Sequence, residues 1–275
     1  MRFITSCLLV LCVSLPSAAQ DTRPDAARRK TYDELLDLNV RDGLVYYRAL
    51  KAERGRLDAY INALASATID SSSRDEQMAF WVNAYNALVL KTVVDHYPIP
   101  QRTAEYPARS IRQIPGAFER TVHRAAGRMV TLDQIEQTIL SEFHDPRVYL
   151  LLGRGAIGGG RLHSEVHTAA GLEMHLKDAV AECVTRAQCI EIDRANNQIN
   201  VSPIFSWRAQ EFIAAYASAT PEVFATRSPV ERAILGFIQP HLLTTEREFL
   251  EKNQFKVVFK PFDWSLNDLT GRGGR

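Results

Sequence analysis

The sequence predicts a mostly helical α+β fold, formed by a single domain with a small antiparallel sheet. Segments with apolar residues at helical spacing recur along the chain, and short hairpin-like pairs lie between them. The regular strand–helix alternation of a parallel sheet is missing, which favours α+β over α/β. The 275 residues fit one large domain, and no repeat or linker divides them.

The first residues are typical of a secretory signal peptide. Arg2 precedes a mostly apolar run over 4–15, and small residues follow at 17–19. The run is shorter than the ~20 residues that span a bilayer, so we predict cleavage before Gln20 rather than a retained anchor. The predicted divisions are a signal peptide (1–19), a loose N-terminal segment (20–30), the domain (31–268) and a flexible tail (269–275).

Seven helices are predicted from apolar spacing and from capping residues. The longest follows the serines at 71–73, carries a broad apolar stripe, and ends before Pro98. Thr131 and Gln134 form a capping box at the start of another. The predicted helices cover about 32–38, 50–65, 74–95, 131–143, 169–185, 207–217 and 230–238.

Extended segments are short and lie between these helices. Ala126-Gly127 and Asn196-Asn197 predict the turns of two hairpins, over 121–130 and 190–201. The apolar run 148–152 indicates a buried strand or another core segment, and a glycine-rich loop follows it. Further extended segments are predicted at 45–47 and 255–259.

Composition and charge exclude several classes of protein. Hydrophobic residues make up 46% of the chain, which has 33 basic and 32 acidic residues. This is the composition of a globular protein rather than a disordered one. Since a nucleic-acid binder usually has a basic excess or stripe, we expect no nucleic-acid partner. We expect a periplasmic or secreted protein with no stable membrane insertion after cleavage.

Cleavage would leave only two cysteines, Cys183 and Cys189. An oxidising compartment favours a disulfide between them, although two buried thiols are the alternative. We predict the disulfide.

Several distinctive motifs follow one another along the chain. They are Phe80-Trp81-Val82-Asn83-Ala84-Tyr85-Asn86-Ala87-Leu88, Asp95-His96-Tyr97-Pro98, Ser110-Ile111, Thr131-Leu132-Asp133 with Ile135-Glu136, Asp145-Pro146-Arg147, Ser202-Pro203-Ile204-Phe205-Ser206-Trp207 and Asp263-Trp264-Ser265-Leu266-Asn267. In this order they resemble the domain-of-unknown-function 547 family, over about residues 31–268. The resemblance implies no activity, because the family is recognised by sequence and has no general function to transfer.

One departure from the family pattern bears on catalysis. Many members carry a C-G-x-x-S-C/S-P stretch after the D-P-R motif, whose cysteine and serine are candidate nucleophiles. Here Arg154 stands where the cysteine would be, and glycines replace the serine and the residues after it. Neither residue type can act as a nucleophile at neutral pH. If the relatives are thiol hydrolases, this chain lacks their nucleophile and is predicted to be inactive as such an enzyme.

The glycine loop also contains G-x-G-x-x-G over 153–158. A dinucleotide site needs a helix to begin there directly, whereas the next helix start is Thr168, so we expect no such site and no cofactor. Exposed backbone N–H groups together with Arg154 and Arg161 could instead bind an anion. We expect Arg154 to be exposed, so that Arg154→Ala weakens ligand binding and leaves stability nearly unchanged.

Three histidines suggest a metal site, but their placement argues against one. His163 and His167 are four residues apart, while Thr168 as N-cap puts both outside the helix that carries His175. We therefore predict no metal site and interpret them as solvated loop histidines.

Two asparagines inside the longest helix, Asn83 and Asn86, either tie it to adjoining loops or line a polar cleft. His96 lies at the end of that helix, where it is either a dipole partner or a base.

Glu136, Asp133 and Arg147 are expected to form structural salt bridges, and the tryptophans are expected to pack in the core. The residues predicted to bind a ligand are Asn83, Asn86, His96, Arg147, Arg154, Gly155 and Arg161; no catalytic residue is assigned.

Three classes of function fit these observations. The first is a non-catalytic protein that binds an anionic or polar ligand, or an envelope protein, through a cleft that lacks the candidate nucleophile. The second is a hydrolase-like enzyme of the cell envelope that uses unidentified residues. The third is an envelope structural or interaction protein without a small-molecule site. The loss of the nucleophile favours the first over the second.

Overall fold

A computed structural model describes residues 24–270. The predicted signal peptide and the end of the predicted tail lie outside these residues. The structure confirms a mostly helical α+β domain. Its α-helices are α1 (Pro24–Asn39), α2 (Tyr47–Ala52), α3 (Gly55–Ala65), α4 (Arg74–His96), α5 (Leu132–Gln134), α6 (Ala169–Thr185), α7 (Ile204–Trp207), α8 (Ala209–Tyr216), α9 (Pro229–Ile238) and α10 (Thr244–Lys252).

The strands are short and form three small sheets in the described part of the chain. Two are antiparallel hairpins, and the third adds a parallel strand, β7, to the hairpin of β5 and β6. Both predicted hairpins are confirmed. The strands are β1 (Val40–Arg41), β2 (Leu44–Val45), β3 (His123–Ala125), β4 (Arg128–Val130), β5 (Ile190–Asp193), β6 (Gln198–Val201) and β7 (Lys256–Phe259).

Helix α4 runs through the centre of the core. Ser73 caps it in a capping box with Glu76, as the serine run predicts. Nearly every residue from Met78 to Val94 is buried, so the helix has no broad solvent face. A polar side chain on such a helix must find its partner inside the protein. Asn83, Asn86 and Tyr85 each do so.

The predicted helix over 131–143 is helical throughout but changes its geometry. The capping box of Thr131 and Gln134 begins it, α5 continues as a π-helix over Ile135–Ile139, and a 3-10 helix over Leu140–Phe143 ends it. The π-helix carries Glu136 into the interior, where it is buried. Wide turns of this kind often accompany functional sites.

The apolar run at 148–152 is a core segment, but it is not a strand. It overlaps a 3-10 helix over Pro146–Leu150, which Asp145 caps. Four further short 3-10 helices lie at Ile111–Gln113, Ala217–Ala219, Glu222–Phe224 and Gln239–His241.

The glycine loop packs tightly against its own backbone instead of exposing it. A Cβ on Gly160 would lie 1.9 Å from the Leu150 carbonyl oxygen, and one on Gly159 would lie 2.2 Å from that of Gly153. Most of the loop is buried. Its glycines are therefore needed for close backbone packing, and the expectation of open backbone N–H groups is wrong.

The C-terminal segment joins the loop to the beginning of the domain. Ile157 donates a backbone hydrogen bond to Ser265, and Val45 of β2 donates one to Asn267. The Tyr47 hydroxyl donates to the Asn267 side chain over 2.8 Å, although the two residues are 220 positions apart.

The two ends of the predicted domain and its cysteines also have defined structure. Helix α1 begins at Pro24, inside the segment for which a loose start is predicted. Cys183 and Cys189 form the predicted disulfide between the end of α6 and the start of β5. No helix within residues 24–270 is long and apolar enough to cross a membrane.

Candidate functional site

The two asparagines of α4 bind backbone rather than line a cleft together. The Asn83 amide donates to the His167 carbonyl over 2.8 Å and accepts from the His167 N–H over 3.0 Å. Asn86 makes the same kind of pair with the Leu151 carbonyl and the Gly153 N–H, each at 3.0 Å. These contacts tie the central helix to the loop of His167 and to the start of the glycine loop.

Arg154 is buried, so the expectation of an exposed loop arginine is wrong. Its side chain is 2% exposed and contacts Glu136, with Nη2 2.7 Å from Oε1. Its Nη1 donates to the carbonyls of Tyr149 and Leu152, both at 3.1 Å. Where the family pattern has a candidate nucleophile, this chain therefore has a guanidinium enclosed by acceptors.

Glu136 is the centre of this buried cluster. Besides Arg154, it accepts from the Tyr85 hydroxyl at 3.0 Å and from Nη2 of Arg208 at 3.1 Å. Burial by itself would raise the pKa of Glu136, but the two guanidinium groups outweigh burial and hold that pKa below its usual range. The carboxylate is therefore charged and fully engaged, which makes it a poor general acid or nucleophile.

A cleft of about 300 Å³, which we name the tryptophan cleft, opens beside the cluster. Aromatic rings and charged side chains form its walls. It is lined by Arg112, Phe118, Asp133, Glu136, Gln137, Arg154, Trp207, Arg208 and Trp264.

The aromatic wall of the cleft is partly exposed. Trp207 is 46% exposed, and its ring stacks near that of Trp264, with centroids 6.3 Å apart. Phe262 packs against both rings, at 5.0 Å and 4.4 Å. The expectation that these tryptophans are core residues is wrong for Trp207, whose side chain is partly exposed at the cleft.

Two arginines of the cleft keep unused donors. Arg112 lies over the rings of Phe118 and Trp264, at 4.5 Å and 4.4 Å, and pairs with Glu119. Arg208 lies over the ring of Tyr149. The Nε–H groups of both are buried without a hydrogen-bond partner among the described residues. Such groups are costly unless something satisfies them.

Asp133 is the second acidic residue in the wall of the cleft, beside Glu136. Partial burial raises the pKa of its carboxyl, and the nearby charges of Glu119 and Glu136 add to this effect. Asp133 is thus more readily protonated than an ordinary aspartate, in contrast to Glu136.

The other predicted ligand residues are dispersed. His96 is exposed at the end of α4, and its Nδ1 lies 2.8 Å from the Thr92 carbonyl oxygen. Arg147 binds Asp145 and Glu173, which agrees with the structural salt bridge expected. Gly155 packs against α4, where a Cβ would lie 3.2 Å from Val89. Arg161 pairs with Asp42 and Glu182. Of the seven predicted residues, only Arg154 lines the tryptophan cleft.

The three histidines meet, although their spacing in the sequence predicts that they would not. His163 and His167 do lie in the loop before α6, and His175 lies within α6. The loop folds back onto the helix, so that one ring nitrogen from each lies within 4.8 Å of the others. His167 and His175 are buried and His163 is half-buried; they are not solvated loop histidines. Burial lowers the pKa of His167 well below its usual value.

The segment that contains α4, the glycine loop and the three histidines is similar to a known protein family. A family model described as "Protein of unknown function, DUF547" matches residues 69–184. Over this segment the chain is similar to the domain-of-unknown-function 547 family. The match includes Asn83, Glu136, Arg154 and the three histidines, whereas Arg208 of the buried cluster lies beyond it. Neither a curated protein nor a solved structure matches the chain.

Sequence reasoning missed Arg112, Arg208 and the role of the tryptophans. A signal for the tryptophans was present, because two motifs that resemble the domain-of-unknown-function 547 family contain Trp207 and Trp264. Both residues lie beyond the matched segment, yet they complete a cleft whose floor is that segment. Arg208 directly follows the first of these motifs.

Proposed function

We propose that the protein binds a small ligand with an anionic group and a flat face in the tryptophan cleft, without covalent catalysis. The observation that carries the proposal is the buried pairing of Arg154 with Glu136 at the position where the family pattern has its candidate nucleophile. The described residues that line the cleft include no serine, threonine, cysteine, lysine or histidine. The cleft therefore has groups for recognition and no hydroxyl, thiol or amine nucleophile among these lining residues.

The chemistry of the walls supports this class of ligand. A guanidinium binds carboxylate or phosphate through paired N–H donors, and Arg112 and Arg208 each keep a donor that no described residue accepts. An exposed indole ring supplies a flat apolar face, which Trp207 offers. A ligand with both features would find guanidinium charge and an apolar ring in the same cleft.

Phenyl phosphate is a suitable probe, with tryptophan fluorescence as the readout. Of the three tryptophans, Trp207 and Trp264 line the cleft and Trp81 is buried in α4. We expect saturable quenching by the unaltered protein. The affinity for phenyl phosphate is expected to fall at least tenfold in Trp207→Ala and in Arg208→Gln. Arg161→Gln is the control, because Arg161 lies outside the cleft. Equal binding by all four proteins, or none by the unaltered protein, would refute the proposal.

The hydrolase alternative has one supporting observation, the raised pKa of Asp133. A carboxyl that stays protonated can act as a general acid. Hydrolysis of an ester, amide or glycoside that Asp133→Asn abolishes, with folding unchanged, would favour an enzyme over a binding protein. Phenyl phosphate binding without such turnover favours the binding protein.

The proposed location is the periplasm or the extracellular space. The disulfide supports it, because stable disulfides persist mainly in oxidising compartments. Intact-mass measurement of exported protein is expected to give a chain that begins near Gln20. Full-length protein retained in the cytosol would contradict this location.

A further inference from the structure

A second arrangement of polar groups lies apart from the tryptophan cleft. His163, His167 and His175 converge from one loop and one helix, and none of the three lines that cleft. The Nδ1 atoms of His167 and His175 face each other at 2.8 Å. The ring of His163 lies 5.1 Å, centroid to centroid, from each of the other two.

The spacing of the ring nitrogens suits a tetrahedral ion. Zn²⁺ binds imidazole nitrogen at about 2.0–2.1 Å, which puts two such ligands ~3.3 Å apart. The distance between the two Nδ1 atoms is 2.8 Å, and all three ligand atoms fit within 4.8 Å. Small rotations of the rings therefore bring the set to coordination distance.

Contacts behind the ligand atoms hold the ring of His175 and the backbone of His167 in place. His175 uses its other nitrogen, Nε2, to contact a carboxylate oxygen of Glu165 at 3.1 Å, so its Nδ1 points into the cluster. A carboxylate behind a metal-binding histidine is the usual device that fixes its tautomer. Asn83 binds both backbone groups of His167, which anchors that residue on the central helix.

We propose that His163, His167 and His175 form a binding site for one Zn²⁺ ion or a similar transition-metal ion. Imidazole nitrogen suits Zn²⁺ and Cu²⁺ better than Mg²⁺ or Ca²⁺, which prefer oxygen ligands. Three protein ligands leave the fourth position of a tetrahedral ion for water or another small ligand.

An entry path exists on the side of His163. This half-buried residue also lines a surface pocket with Glu165. Asp42 and Glu182 of that pocket are paired with Arg161, so Glu165 is the carboxylate that favours the approach of a cation. The fourth position of the ion is expected to face this pocket.

The test is a Zn²⁺ titration of untagged protein that has been stripped with a chelator and dialysed. We expect one ion per chain by calorimetry, a rise in melting temperature with Zn²⁺, and the visible absorption of a tetrahedral complex with Co²⁺. His163→Gln and His175→Ala are each expected to weaken binding at least tenfold. Glu165→Gln should weaken it roughly tenfold, because it acts through His175.

His144→Asn is the matched control. His144 is exposed, and asparagine tolerates its positive φ of 49°. This variant is expected to bind Zn²⁺ as the unaltered protein does. If His175→Ala fails to fold, His163→Gln still decides the matter, because its side chain is only half-buried. No stoichiometric binding, or binding that survives both His163→Gln and Glu165→Gln, would overturn the proposal.

Discussion

Replacement of Arg154 by alanine is expected to destabilise the protein by about 3–5 kcal/mol, the usual cost of breaking a buried ion pair from one side. The guanidinium is buried, and its removal leaves Glu136 charged inside the protein. The carbonyls of Tyr149 and Leu152 also lose their donor. Arg208 and Tyr85 still contact Glu136, which keeps the loss within this range.

Urea denaturation followed by circular dichroism measures the effect. Arg161→Ala is the matched control from the other end of the glycine loop, because its half-exposed ion pairs are worth about 1 kcal/mol or less. Glu136→Gln combined with Arg154→Met removes both charges, and we expect this double variant to be more stable than Arg154→Ala. If Arg154→Ala loses less than ~1 kcal/mol, the buried pair has no structural role and this reasoning is refuted.

Three further predictions concern the packing, titration and cross-linking of the fold. Gly160→Ala should cost about 3 kcal/mol because a Cβ there meets backbone, whereas Gly55→Ala, with nothing within 4 Å, should be neutral or stabilising in the same melts. Burial lowers the pKa of His123 to about 4, while an unfolded histidine titrates near 6.5; stability should therefore fall by about 3 kcal/mol as pH drops between these values. If the stability of His123→Leu falls as steeply with pH as that of the unaltered protein, His123 contributes nothing to the pH dependence. Thiol labelling of unreduced, denatured protein should find Cys183 and Cys189 unreactive, and reduction should cost about 2–3 kcal/mol; two labelled thiols would exclude the bond.

Much of the fold could be predicted because local rules decide it. The serine cap and the apolar stripe of α4, the capping box at Thr131 and the turn at Asn196-Asn197 are signals within a few residues. What these rules could not give is the π-helix that contains Glu136, because the buried arginines that its side chain meets come from distant parts of the sequence.

The candidate sites were harder to predict for the same reason. Arg154 is in a glycine-rich stretch that is typical of an exposed loop, and only the position of Glu136 makes its burial favourable. The spacing of the three histidines along the chain predicts that they lie apart, whereas a loop that doubles back onto α6 brings them together. Arg208 carries no sequence signal of its own.

The hydrogen bonds between the C-terminal segment and β2 have a consequence for the order of folding. Asn267 contacts Gly43, Val45 and Tyr47, so β2 and the start of α2 complete these hydrogen bonds only after residue 267 has been synthesised. Contacts between residues so far apart in sequence form slowly, because the intervening chain must first lose its freedom. A ribosome-bound chain that stops short of Asn267 should therefore remain sensitive to protease around β2, and become resistant there only after Asn267 has left the ribosome.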